Sequence, residues 1–131
     1  MADAVVDASV WVSRLVRGEA HHTAAVAWFE TQEERGDLLI APALMPPEVA
    51  GALSRRTGDG QLARRAVRQI LRLPALRLAI LDAELAERAA ELAADRALRG
   101  ADAVYVAVAA RLGLSLVTLD REQRRRAGGC G

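Results

Sequence analysis

The sequence has no lysine. All eighteen basic residues are arginine, set against seventeen acids and two histidines, for a formal charge of +1 over 131 residues. A whole-chain charge this near zero names no partner, because it averages over local bias. The arginine itself is more suggestive: its planar fork suits phosphate and carboxylate, although a GC-rich genome would produce the same preference. Aromatics are scarce, with only Trp11, Trp28, Phe29 and Tyr105. Proteins that read single-stranded bases stack them on exposed rings, so any contact with nucleic acid here is expected to grip the backbone. The single cysteine, Cys130, excludes an internal disulfide and any zinc-ligand spacing, which fits a reducing compartment, with the cytoplasm as the expected location. No uninterrupted apolar segment opens the chain, since Asp3 and Asp7 break it. The apolar stretch 101–119 contains Asp102 and Arg111 and reads as a buried helix plus strand, not a membrane span.

Several chemistries lack their residues. Gly-Ala-Asp-Ala-Val-Tyr, 100–105, is neither a GxGxxG nor a P-loop. There is no set for a Ser-His-Asp or Cys-His mechanism. His21 and His22 are adjacent, hence on different sides of a helix, and read as surface residues. A phosphoryl receiver needs a lysine on a late strand, and a haloacid-type phosphatase would want a second aspartate where Ser9 stands.

What is present alternates. Strands are expected at 4–7, 38–40, 76–81 and 114–119, with helices at 9–17, 20–35, 46–57, 61–73, 82–98 and 102–112. Pro46-Pro47 opens the third helix, Gly58-Asp59-Gly60 is a turn, and Gly100 breaks the chain between the last two helices. Leu62, Ala66, Ile70 and Leu73 form an apolar stripe suited either to the core or to a self-interface. The class is α/β: a parallel sheet covered on both faces, its strands buried on both sides.

In such a fold the carboxyl ends of the strands and the amino ends of the crossover helices share one rim, where open α/β sheets bind ligands. Four acids map there. Asp7 ends the first strand and Asp120 the fourth; Glu48 lies in the first turn of the helix opened by the prolines; Asp102 opens the helix leading to the last strand. Each has an ordinary explanation as a cap or a dipole partner. Four together repel, so that one must stay protonated unless a cation relieves them. All-oxygen ligands favour a hard ion, Mg²⁺ or Mn²⁺, and Ser9 and Thr118 set hydroxyls beside Asp7 and Asp120. A carboxylate-held divalent ion activates water and stabilises the oxygens of a phosphodiester. Arginines surround the site in sequence: Arg55, Arg56, Arg64, Arg65, Arg68 and Arg72 on the central helices, then Arg121, Arg124, Arg125 and Arg126 directly after Asp120. The first group is equally a solvated face balanced by Glu84, Glu87 and Glu91. Of the second, Arg121, Arg124 and Arg125 are the candidate substrate contacts.

The ordered set Val-Val-Asp-Ala-Ser-Val (5–10), Pro-Pro-Glu-Val-Ala-Gly-Ala-Leu (46–53), Gly-Ala-Asp-Ala-Val-Tyr-Val-Ala-Val-Ala-Ala-Arg-Leu-Gly (100–113) and Leu-Val-Thr-Leu-Asp (116–120) resembles the PIN-domain family, specifically the VapC-type toxins of bacterial toxin–antitoxin pairs. The resemblance implies a single PIN-like domain over 1–131, three-layered α/β/α, with a central parallel sheet of four short strands, or five with a closing edge strand. It implies a metal-dependent endoribonuclease toxin in which Asp7, Glu48, Asp102 and Asp120 form the acidic quartet that holds Mg²⁺ or Mn²⁺, with Ser9 and Thr118 at the accompanying hydroxyl positions. It also implies an RNA substrate, a homodimer, and inhibition by a cognate antitoxin. Where such toxins carry an apolar or aromatic residue after the last aspartate, this sequence reads Arg121-Glu122-Gln123-Arg124. The alternative is a catalytically silent module of the same fold that binds a protein or RNA partner.

Overall fold

The computed structural model describes residues 2–120 and 125–126. In chain order the elements are β1 (Ala4–Val6), α1 (Ala8–Leu15), α2 (His22–Arg35), β2 (Leu39–Pro42), α3 (Met45–Thr57), α4 (Gly60–Leu71), β3 (Leu76–Ala79), α5 (Ala83–Arg96), α6 (Gly100–Leu112) and β4 (Ser115–Val117). The four strands form one sheet in the order β3-β2-β1-β4, and every neighbouring pair is parallel. A fifth strand would fall among the undescribed residues after Asp120.

The two central strands are buried at every position. Successive side chains point to opposite faces, so continuous burial means that both faces are covered and the architecture has three layers. The edge strands depart from the expectation of two-sided burial. In β3, Arg77 and Leu78 are exposed, and in β4 Ser115 is exposed, because an edge strand has a neighbour on one side only. One covering layer is α6, which lies against β1, β2 and β4 and carries α5. Residues 103–109 of α6 are all buried, and a helix apolar all round belongs inside. Ala66 and Ile70 of α4 are buried in the core and Leu73, which lies beyond the end of the helix expected to reach it, packs against that core, while Leu62 is half-buried. Trp11, fully buried, packs on Phe29 with ring centroids 4.6 Å apart.

The ends of the helices follow local chemistry. Asp7, Asp59 and Asp82 cap α1, α4 and α5 by accepting backbone N–H bonds, which takes Asp7 out of the first strand and Asp82 out of its helix. Gly36, Gly58 and Gly113 end α2, α3 and α6 in the left-handed region. The break after α5 is made differently from expectation. Ala97, at φ 53° and ψ 40°, ends the helix, while Gly100 is the first residue of α6.

Candidate functional site

Asp7 sits where β1 turns into α1, and it is 6% exposed. Its Oδ2 accepts from the Ser9 N–H at 3.0 Å, the capping bond, and from the Thr118 hydroxyl at 3.3 Å. Capping is therefore part of its role, yet it does not account for the neighbours gathered around it. The Thr118 hydroxyl also accepts from the Asp120 N–H at 3.1 Å, and the Ser9 hydroxyl accepts from the Leu119 N–H at 3.2 Å. The Asp7 N–H donates to Val117 O at 2.9 Å. The two hydroxyls thus lace the segment after β4 to the start of α1, which fixes Asp120 relative to Asp7.

Glu48 enters from the opposite side. Pro46 and Pro47 stand in the first turn of α3, and Glu48 follows them. Its Oε1 accepts from the Tyr105 hydroxyl at 2.8 Å. Asp102 lies in the first turn of α6. Arg99, at the N-cap position of that helix, donates from Nε to Asp102 Oδ2 at 2.9 Å and from an Nη to Asp120 Oδ2 at 2.7 Å. One guanidinium therefore joins the acid of α6 to the acid after β4.

The electrostatics tie the four acids together. The Glu48 carboxyl is held above the usual range, first by burial and then by the charges of Asp7 and Asp102, while the Tyr105 bond and Arg99 oppose the rise. Asp102 is likewise raised by burial and by Asp7 and Asp120, against the pull of Arg99. Tyr105 is pushed far up by burial and by Glu48, so it stays a donor at any working pH. Proximity of like charge in a half-buried site is the condition under which a cation is favoured. The donors are carboxylate and hydroxyl oxygens, the set a hard divalent ion takes, and on that chemistry the residues fit one. The geometry does not yet match that chemistry: among the described residues no three acids, histidines or cysteines stand close enough to hold a metal ion together, and part of the neutralising charge comes from Arg99.

A groove of about 510 Å³ opens beside the acids. Ser9, Glu48 and Asp120 line it on the rim side, and Arg55, Arg56 and His21 line it along α3 and the α1–α2 connection. Arg56 is ion-paired with Glu19.

Sequence reasoning missed Arg99 and Tyr105. Both lie three residues from Asp102 on the α6 segment, and three-residue spacing makes helix neighbours, which was the available clue. His22 is half-buried, not on the surface, and its Nδ1 is 2.8 Å from Ser13 O; the exposed His21 is the one that reaches the groove. Arg121 and Arg124 lie outside the described residues, and Arg125 is exposed.

The sequence matches the PIN domain family over residues 4–129. The chain belongs to the PIN domain family. No curated protein sequence matches it closely enough to count as a relative. Among solved structures, this PIN domain is similar to VapC20 of Mycobacterium tuberculosis, a sarcin-ricin loop cleaving toxin, with a TM-score of 0.82, 24% identity and coverage of 96% of this chain and 95% of that one. PAE2754 of Pyrobaculum aerophilum aligns with a TM-score of 0.71 at 25% identity, covering 98% and 87% of the two chains. VapBC2 of Rickettsia felis, bound to a DNA fragment from their promoter, aligns with a TM-score of 0.72 at 13% identity, covering 95% and 92%. At these identities the first and third likenesses concern the fold. The parallel sheet and the six helices among the described residues form the PIN fold expected from the sequence.

Proposed function

We propose that this PIN domain is a Mg²⁺- or Mn²⁺-dependent endoribonuclease toxin that hydrolyses phosphodiester bonds in RNA and is neutralised by a cognate antitoxin. The observation carrying this reading is the bonding that gathers the acids: Thr118 joins Asp7 to the segment bearing Asp120, and Arg99 joins Asp120 to Asp102, with Glu48 close enough to feel Asp7 and Asp102. Their positions in the chain run from 7 to 120, and nothing in local capping requires them to share a rim. Family membership and the fold shared with VapC20 support an RNA substrate, and the complex of VapBC2 supports an antitoxin partner. An RNA target sets the reaction in the cytoplasm. No helix among the described residues is long and apolar enough to cross a membrane. A homodimer is part of the proposal on family grounds.

Asp7, Asp102 and Asp120 would hold the ion, and Glu48 would do so directly or through water. The bound ion supplies Lewis acidity toward the phosphate and a water of lowered pKa. The rest of the work falls to the chain. Tyr105 fixes the Glu48 carboxylate. Thr118 and Ser9 fix the spacing between Asp7 and the segment bearing Asp120. Arg99 holds Asp102 and Asp120 together and presents positive charge where the diester's oxygens arrive. The domain as a unit, 1–131, is proposed to suffice for these roles, with Arg121, Arg124 and Arg125 as further substrate contacts.

The test is cleavage of end-labelled RNA with Mg²⁺ or Mn²⁺ and with EDTA. Cleavage that needs the metal and disappears in Asp7→Asn is expected. Metal-independent cleavage, or full activity of Asp7→Asn, would refute the reading. The silent-module alternative takes its support from the Arg99 pairs, in which one guanidinium already serves two of the acids. It predicts no Mn²⁺-dependent rise in Tm and no growth arrest on expression.

A further inference from the structure

We propose that Arg55, seated over Gly51, is a phosphate-binding residue that holds the RNA strand beside the acidic rim. The inference rests on the nuclease reading and assigns a subsite to it. Glu48 and Arg55 are seven residues apart on α3, which is close to two turns and about 10 Å of rise, so they share one helix face. Both line the same groove. Side chains on a helix lean toward its N-terminus, so Arg55 extends back over position 51 in the direction of Glu48. Its Nη1 lies 3.1 Å from where a Cβ on Gly51 would stand. A Cβ at 51 would make the guanidinium give by a few tenths of an ångström, and glycine inside a helix is otherwise unfavourable.

Arg55 has no hydrogen bond or ion pair among the described residues, whereas its neighbour Arg56 is tied to Glu19. Glu48, on the same face, is bonded to Tyr105 instead. The groove therefore contains a guanidinium whose donors are unspent, near acids that have found other partners. A diester oxygen fits that fork. A strand whose scissile phosphate reaches the rim must continue along the groove, and its neighbouring phosphate meets Arg55. An acidic peptide would satisfy the same guanidinium; RNA is the occupant proposed because the nuclease reading places a phosphodiester at the adjoining rim, which Glu48 and Asp120 share with the groove.

The experiment measures binding of a fluorescent single-stranded RNA oligonucleotide in EDTA, so that binding is read without cleavage. Wild type, Arg55→Gln, Arg55→Lys and Gly51→Ala are compared with Arg68→Gln, which removes an exposed arginine from α4 that does not line the groove. Arg55→Gln is expected to weaken binding about five- to ten-fold near physiological salt and to flatten the slope of log K against log salt by about 1. Arg55→Lys recovers part of the loss. Gly51→Ala, which asks the guanidinium to give by only a few tenths of an ångström, raises Tm and changes binding less than Arg55→Gln does. Arg68→Gln changes binding less than two-fold. Equal effects of Arg55→Gln and Arg68→Gln would overturn the inference and leave the nuclease reading standing. Absence of RNA binding by the wild type would overturn both. If Arg55→Gln binds RNA normally but no longer binds polyglutamate, the residue serves an acidic protein partner and the phosphate assignment fails.

Discussion

Tyr105 donates its phenolic hydrogen to Glu48 Oε1 at 2.8 Å, joining α6 to the first turn of α3. The tyrosine is fully buried, and its bond opposes the rise that burial and the neighbouring acids impose on Glu48. In Tyr105→Phe the carboxylate loses that donor and its pKa climbs further. Stability should fall by about 1 kcal/mol, the usual worth of such a bond. Cleavage should fall about ten-fold, the scale for losing a group that orients a ligand. The acidic limb of the pH–rate profile should move to higher pH, since Glu48 ionises later. An unmoved limb would separate Tyr105 from the chemistry.

The raised pKa values of Glu48 and Asp102 make a statement about stability. Each carboxyl binds its proton more tightly folded than unfolded. The neutral forms favour the folded state, and that advantage is lost as pH rises from the ordinary carboxylate range through the raised values. Metal-free protein should therefore become less stable across that window as pH increases. A divalent ion bound as proposed would compensate, so the rise in Tm caused by Mn²⁺ should grow with pH over the same interval. Glu48→Gln should melt a few degrees higher than wild type in EDTA, with a flatter pH dependence, and should gain less from Mn²⁺. Thermal melts across a pH series, with EDTA and with Mn²⁺, read all three.

The alternation of elements was legible because the strands are short and mostly apolar and α2, α3 and α6 each end on a glycine. That Asp7, Glu48, Asp102 and Asp120 would lie near one another was legible too, since parallel topology sends strand ends to one rim, whereas their spacing was not: no three of them stand close enough to hold an ion together. What the sequence concealed was how these acids are held. Arg99 reads as one more surface charge until its two bonds, to Asp102 and to Asp120, are seen together. Tyr105 sits within a continuous apolar run, 103–109, and its hydroxyl has meaning only once α3 delivers Glu48. Ala97 concealed the end of α5, because an alanine gives no sign that it will adopt a left-handed conformation. Burial of the edge strands was overestimated for a related reason: apolar composition does not say how many neighbours a strand has.

Arg99 bridges Asp102 and Asp120 while remaining mostly exposed. It neutralises acids that repel one another, and in doing so competes with any ion they would bind. Removing it by Arg99→Gln should lower Tm in EDTA, because Asp102 loses the charge that opposes its raised pKa. The same change should tighten Mn²⁺ binding and enlarge the Mn²⁺-induced rise in Tm, as read by calorimetric titration and by melting. Cleavage should nevertheless decline, since positive charge is lost where the substrate's oxygens arrive. If Mn²⁺ binds more weakly to the variant, Arg99 is organising the acids for the ion instead of competing with it.

Ala97 ends α5 at φ 53° and ψ 40°, a conformation that costs an L-residue about 1 kcal/mol or more. The turn there is still useful: the Leu98 N–H reaches Ala93 O at 3.2 Å, and two residues later Arg99 points at Asp102 and Asp120. Glycine adopts this conformation without strain, but it also frees the unfolded chain. The strain term is the larger at a left-handed cap, so Ala97→Gly should stabilise the protein by about 0.5–1 kcal/mol. The Mn²⁺-induced rise in Tm and the cleavage rate should not change, because the ion pairs of Arg99, not the residue at 97, set its position. A variant that is more stable yet binds Mn²⁺ differently would show instead that the strained turn is what aims Arg99.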